Sequence, residues 1–599
     1  MEVLALTVED VLADWNLIYS TCYRPSPLPP LSSAASSYLT RAADKDLQEL
    51  EHEVAIWKGK SNVMGAVVGG EELTAFCKEI QCNFIDMSFP PYPSTLTGPQ
   101  STASSPTGVV TSSRRASHFL PSSAGGSSRF SCLFGPFPPT RVSLQQGALG
   151  DCWLVSALTA LSERPRLIEN AFPSLHNPGG HDYGEEGKGD LCECSIIDDG
   201  YVSCLLYLQG IPCLITLDTY LPCYPLSGPL YCKSPCGSTW APMVEKAFAK
   251  AAGGYMNLVG GYAYEGMMDV TGCPTYYYSL GDYEVKEGIR DGWFWKDIMV
   301  GAMERRWLMT CTTRGESKNG EEKEGEGDYM EDGSFNGLVS GHAYTILWCG
   351  SILGHSLLHI RNPWGGFEWR GDWSKGSLLW TKEAKEEVRR LCGEEGGEEG
   401  SFWMSVGDWV RRFESVSICM VTDSRNTAWN CVRKKIVFRR DDDSDEGIGV
   451  GADKIIAPKA GKNVGWTEGE RDPSSSKGAS GLASQYPLRC PVYRLAVSSK
   501  TDCVITIHNR DVRLQEGGVG EGDYPPVGVS LIKQTKDSKV GGGGFGGGLG
   551  LVGMGAGGYQ LVGCKGIRKE RQVQTEMMEV RGSDSWSEAT AKALYRLLA

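Results

Sequence analysis

The chain has 599 residues, enough for about three or four domains of roughly 150 residues each. Its formal net charge of −14 argues against nucleic acid as the main partner, because phosphate binding needs a basic surface, and no apolar run approaches the ~18–20 residues of a membrane span. The 21 Cys are scattered and odd in number, unlike the short Cys-dense pattern of a disulfide scaffold, so most are expected as free thiols.

In chain order, Met1-Glu2-Val3-Leu4 carries an acid where a secretory leader would be positive, so a cytoplasmic setting is expected. Residues 1–83 read as helical and partly disordered, with the clearest helix around Asp44–Trp57. Residues 96–128, rich in Ser, Pro, Thr and Gly, read as a disordered insert, in which Arg114-Arg115 is either a site for proteolysis or phosphorylation or without a role. From Gly135 to Val421 the composition is globular, interrupted by a polar stretch at His176–Asp190 and an acidic loop at Arg314–Asp332. Beyond Cys431 short β-type runs appear, at Lys435–Phe438, Tyr493–Val497, Cys503–His508 and Val527–Ile532, separated by polar or Gly-rich loops. This pattern predicts a β-sandwich with inflated loops. Gly548, Gly550 and Gly553 match a dinucleotide fingerprint in letters only, inside a glycine tract without a preceding strand.

One segment carries chemistry. In Gln145-Gln146-Gly147-Ala148-Leu149-Gly150-Asp151-Cys152-Trp153-Leu154, apolar residues then recur at Leu154, Val155, Leu158 and Leu161, a helical spacing that puts Cys152 at a helix N-terminus. The helix dipole favours an anion there, so the thiol pKa should fall. Glycines beforehand permit unusual backbone shapes and close approach of a substrate chain. Gln146 is placed to donate its amide N–H to an oxyanion, with the Cys152 backbone N–H as second donor.

A thiol nucleophile needs a base, and the chain has eight His. His52 falls in a helix, His118 in the insert, His176 and His181 in a polar loop, and His508 in the C-terminal β region. His355 is near a turn and His359 is inside a strand. His342 follows a glycine at the mouth of a strand, Ala343-Tyr344-Thr345-Ile346-Leu347. The next strand, Leu357–Arg361, ends at Asn362-Pro363-Trp364. Asn362 can accept the imidazole N–H and fix the tautomer, and Trp364 can cover that bond. Cys192 and Cys194 with His176, His181, Cys232 and Cys236 have poor spacing for zinc.

QGALGDCWL, GHAYT and the RNPWG segment resemble the catalytic blocks of the calpain family. Asp86 with Phe89-Pro90-Pro91, the run Trp240–Lys250, Glu265-Gly266, Asp269, Thr271-Gly272 and Phe402-Trp403-Met404-Ser405 resemble it as well. The resemblance covers roughly 84–421. It implies an α+β chain: a papain-like two-subdomain core, with the Cys in 84–275 and the His and Asn in 276–421, followed by a β-sandwich domain over 422–599. It implies limited proteolysis of protein substrates by Cys152, His342 and Asn362, with no organic cofactor, and it admits peripheral membrane contact through the β-sandwich. No EF-hand loop is visible. The family core also binds two calcium ions, for which the ligand positions here are depleted. Ser143, Ser238, Lys375 and Ser401 stand where acids are common, and only Glu368 and Glu399 match. The expected calcium binding is therefore weak. A catalytically idle scaffold and an acyl transferase on the same core remain alternatives.

Overall fold

The computed structural model describes residues 33–61, 71–92, 111–115, 144–173, 200–233, 238–315, 336–392 and 400–422, with short gaps, and strand backbone between 464 and 595. The chain forms two compact units, one ending at Arg425 and one made mostly of residues 426–599.

The first unit begins with α1 (Ser33–Ser61) and α2 (Glu71–Ile80). Leu50, Val54 and Trp57 recur at helical spacing on α1 and pack with Leu73 and Cys77 of α2 and with Tyr220. Burying each such side chain contributes about 1.5–3 kcal/mol. The N-terminal helices are thus fastened to the unit that carries the site.

The disorder expected for 96–128 is corrected at residues 112–115. Ser112–Arg115 forms β1; after β2 (Tyr201–Leu208) and β3 (Ile211–Asp218) comes β4 (Tyr220–Cys223), which pairs antiparallel with β1. The Arg115 guanidinium is buried, donates to Glu53 of α1 at 2.6 Å and to Thr219 at 3.0 Å, and lies over the Tyr220 ring at 4.3 Å. A charge inside a Ser-rich stretch reads as solvated until its carboxylate partner, 62 residues upstream, is placed beside it. The rest of 96–128 lies almost wholly outside the described residues.

Two apolar clusters organise what remains. The first surrounds α3 (Cys152–Ser162) and includes Trp240, Met243, Val244 and Ala247 of α5 (Trp240–Ala252), α4 being Pro165–Asn170. Lys246 and Lys250 of α5 are one turn apart and both point inward, to Asp218 at 2.6 Å and to Asp86 at 2.7 Å. The second cluster lies on a six-stranded antiparallel sheet of order β5-β10-β6-β7-β8-β9. Its strands are β5 (Thr275–Ser279), β6 (Leu308–Thr313), β7 (Ala343–Ile352), β8 (His355–Arg361), β9 (Ser401–Ser405) and β10 (Phe413–Cys419). Helices with an antiparallel sheet give the expected α+β content.

In the second unit a five-stranded antiparallel sheet includes Val492–Val497 and Val527–Gln534, two of the expected strands. The run 503–508 divides into parts of two short strands, Thr501–Cys503 and Thr506–His508, in separate ribbons. The run 435–438 lies outside the described residues.

Candidate active site

The segment before the nucleophile is laid along a neighbouring stretch. Gln145 exchanges two backbone hydrogen bonds with Lys233, both 2.9 Å, and Ala148 N–H donates to Leu230 O at 3.0 Å. A Cβ on Gly147 would meet the Tyr231 carbonyl oxygen at 1.9 Å. Close backbone packing therefore requires a glycine at position 147. The chain then turns at Asp151, whose carbonyl accepts from the Leu154 and Val155 N–H groups, and α3 starts at Cys152. Trp153 to Ser162 are all buried, while Cys152 keeps partial exposure.

The thiol differs from expectation. Burial pushes the Cys152 pKa up to about 11 and the neighbouring Asp151 charge adds to this; the Ala343 backbone N–H works the other way. Desolvation outweighs the helix terminus. Asp151 itself is fully buried and faces Glu245 of α5, also buried. Burial raises Asp151 to about 7, and raises Glu245 well above the usual carboxylate range with repulsion from Asp151 adding. The pair thus favours a retained proton. Tyr231 and Tyr255 pack beside it, ring centroids 4.8 Å apart.

The base side is built from directed hydrogen bonds. The Thr313 backbone N–H donates to His342 O at 3.0 Å, and the His342 N–H donates to Thr313 Oγ1 at 2.9 Å. The His342 ring places Nε2 2.9 Å from Asn362 Oδ1. That oxygen also accepts the Trp364 backbone N–H at 3.0 Å, while Asn362 Nδ2 donates to Phe367 O at 3.3 Å. Oδ1 only accepts, so Nε2 carries the imidazole proton and Nδ1 presents the lone pair. Burial lowers the His342 pKa to about 4, and the Asn362 hydrogen bond offsets part of that, so the ring is neutral at pH 7. Trp364 lies over it with centroids 4.4 Å apart. The indole Nε1–H donates to Gln146 Oε1 at 2.8 Å, and Gln146 Nε2 donates to Leu149 O at 2.6 Å. The amide proposed for the oxyanion is thereby held in one orientation.

The two sides are joined. Ser156 on α3 donates to Ala343 O at 2.9 Å, and Thr345 on β7 donates to Ser156 O at 2.8 Å. The Gln146 N–H donates to Pro363 O at 3.0 Å. With the Ala343 N–H directed at its thiol, Cys152 stands beside the residue that follows His342. Cys152, His342, Asn362, Gln146 and Trp364 are thus brought together. Sequence reasoning missed Asp151, Glu245, Ser156 and Thr345. Glu245 and Lys246 inside the apolar run Trp240–Ala249 were the available signal.

Among the described residues, those at the positions that the resemblance implies for calcium do not fit such an ion. Glu368 Oε1 already accepts from Lys375 Nζ at 2.6 Å and from the Gly400 N–H at 2.9 Å. Ser238 and Ser401 are buried hydroxyls where acids were expected. Glu399 and Ser143 lie outside the described residues. Among the described residues no group of three His, Cys, Asp or Glu could hold a metal. Of the zinc candidates Cys232 is buried, and the others lie outside the described residues. No described helix is long and apolar enough to cross a membrane.

The site thus holds a thiol at a helix start and, across from it, an imidazole hydrogen-bonded to an asparagine. The profile described as calpain family cysteine protease matches residues 84–420, more than half of the chain, and the chain belongs to that family. It is 30% identical over 341 residues to the calpain-type cysteine protease DEK1 of Arabidopsis thaliana, covering 56% of this chain and 14% of that one. It is 31% identical over 320 residues to the calpain-1 catalytic subunit of Bos taurus, covering 50% and 38%, and 29% identical over 290 residues to calpain-9 of Rattus norvegicus, covering 47% and 37%. The matches thus span well under half of each relative's length.

Proposed function

We propose that the chain is an intracellular cysteine endopeptidase that cleaves protein substrates in a limited way, with the papain-like cleft between the Cys152 half and the His342–Asn362 half. The observation that carries this reading is the His342 Nε2 to Asn362 Oδ1 contact of 2.9 Å beneath Trp364, next to a thiol at a helix start.

Thiol and imidazole are both neutral at pH 7, so proton transfer accompanies attack. His342 Nδ1 takes the thiol proton as Cys152 Sγ bonds to the scissile carbonyl carbon. Gln146 Nε2–H and the Cys152 backbone N–H receive the oxyanion. The C–N bond breaks, His342 returns the proton to the leaving amine, and a thioester remains. Water, deprotonated by Nδ1, attacks the thioester carbon, the C–S bond breaks, and the Nδ1 proton returns to Cys152 Sγ. Asn362 holds the ring with Nδ1 outward throughout, and no step uses calcium.

The raised thiol pKa favours one other reading, an idle scaffold that keeps the fold and has lost the reaction. Casein cleavage by the whole chain, in chelator and in calcium, beside Cys152→Ala, separates the two. Cleavage by the parent chain that disappears in Cys152→Ala supports the peptidase. Cleavage that survives the substitution removes Cys152 from the reaction, and its absence under every condition leaves the scaffold.

A further inference from the structure

The disagreement with calcium has a structural counterpart at the base. Lys375 Nζ donates to Glu368 Oε1 at 2.6 Å, and the same oxygen accepts the Gly400 N–H at 2.9 Å. The Gly400 carbonyl in turn accepts the Asn362 N–H at 2.8 Å. Asn362 Oδ1 faces His342 Nε2. A continuous path of four hydrogen bonds therefore runs from the ammonium to the imidazole. The backbone around it is costly to hold. Phe367, before Glu368, sits at φ +55°, and Trp373, two before Lys375, at φ +66°. Such left-handed conformations in non-glycine residues persist only where surrounding contacts fix them. Gly400 has φ +80°, and a Cβ there would meet Gly365 Cα at 2.6 Å.

We propose that Lys375 is a built-in cation: its ammonium supplies the positive charge that gathers the Glu368 carboxylate and the Gly400 turn, and so sets Asn362 against His342 without a metal ion. Lys375 touches neither substrate nor reacting atoms, so it is a positioning residue. A carboxylate with no cation would still accept from Gly400, but it would lose the contact that ties it to the 373–375 turn. Replacing the lysine by an acid would put two carboxylates together and create a demand for a divalent cation. This inference rests on the proposed peptidase reading for its activity readout and on calcium binding for a readout independent of it.

The test compares the whole parent chain with Lys375→Met, Lys375→Arg and Lys375→Asp, using casein cleavage in chelator and in millimolar calcium, and calcium titration by calorimetry. The parent chain is expected to cleave equally with and without calcium and to give no heat of binding assignable to this position. Lys375→Met should lose about ten- to a hundredfold in kcat at little change in KM, the mark of a misplaced base. Lys375→Arg should restore most of that loss, because a second cation reaches the same carboxylate. Lys375→Asp should gain a calcium-binding heat that the parent lacks, and cleave only when calcium is present. Full chelator activity in Lys375→Met overturns the proposal, as does equal calcium binding by parent and Lys375→Asp. If the parent chain cleaves no casein under any condition, the peptidase reading fails by itself, and the calorimetric difference between parent and Lys375→Asp still decides whether Lys375 fills a cation position.

Discussion

The two halves of the site are held by different physics. On the base side, His342 and Asn362 are fixed by hydrogen bonds with direction: Thr313 on the backbone, Asn362 on the ring, and Trp364, Phe367 and Gly400 on Asn362. On the nucleophile side, Cys152 is fixed by a helix buried from Trp153 to Ser162 and backed by the buried Asp151–Glu245 pair, which burial and mutual repulsion push toward holding a proton. Directed bonds set an angle, whereas burial sets a charge state. The comparison teaches that the base is tuned by orientation and the thiol by solvation, and each claim can be broken separately.

The largest effect should come from the base itself. His342→Ala should lower kcat/KM by about 10³-fold or more, and Asn362→Ala by about 10²-fold, because the first removes the proton acceptor and the second only its orientation. Single-turnover rates check the order. An Asn362→Ala chain as fast as the parent would show that the hydrogen-bonded frame does not orient the ring. Next comes Gly400→Ala. Its Cβ falls 2.6 Å from Gly365 Cα at φ +80°, so a loss of about 2–4 kcal/mol in stability is expected, with reduced activity through Asn362. Chemical denaturation followed by tryptophan fluorescence measures it.

How far this was legible in the sequence follows from the same contrast. Directed chemistry leaves local marks: a Gly before His342, an Asn at the end of the Leu357–Arg361 run, and apolar spacing after Cys152 were enough to assemble the five residues that the fold brings together. Burial is a property of the whole unit. The helix terminus at Cys152 predicts a lowered thiol pKa, and only the folded surroundings, Ala343 on the other side of the site among them, show that desolvation wins. Arg115 failed for the same reason, since its partner Glu53 is remote in sequence. Lys375 was visible as a departure, but its pairing with Glu368 needed the turn at Trp373.

A smaller effect tests solvation directly. The folded pKa of Asp151, about 7, lies above the model-peptide value of 3.8, so the folded state keeps a proton that the unfolded state releases. That contribution to stability is complete below 3.8 and is lost as pH rises through 7. His342 slopes the other way: its folded pKa of about 4 lies below 6.5, so stability falls as pH drops from 6.5 to 4. Asp151→Asn removes only the first slope. Unfolding free energies between pH 4 and 8 should therefore diverge from the parent by a few kcal/mol, with Asp151→Asn relatively more stable at the alkaline end. Parallel curves would mean that Asp151 is ionised in the folded chain.

The smallest effect lies where the two halves meet. Ser156→Ala deletes the hydroxyl that donates to Ala343 O at 2.9 Å, and Thr345→Val deletes the one that donates to Ser156 O at 2.8 Å. Each leaves a buried carbonyl short of a partner, at a cost of about 1–3 kcal/mol. Neither touches Cys152, His342 or Asn362, so their pKa values and local bonds should persist. The two bonds share Ser156 and cross the same seam, so they should couple: the double variant should cost less than the two single ones together, because the first loss already loosens α3 from β7. Activity then discriminates between the two kinds of fixation. If burial alone holds the nucleophile, kcat stays within about twofold while stability falls. If the seam also sets the distance from the thiol to Nδ1, kcat falls with stability, by about tenfold or more, since sub-ångström misplacement of a proton acceptor is enough to do that. The geometry favours the second outcome, because Ala343, which receives the Ser156 bond, also turns its N–H toward Cys152 and directly follows His342.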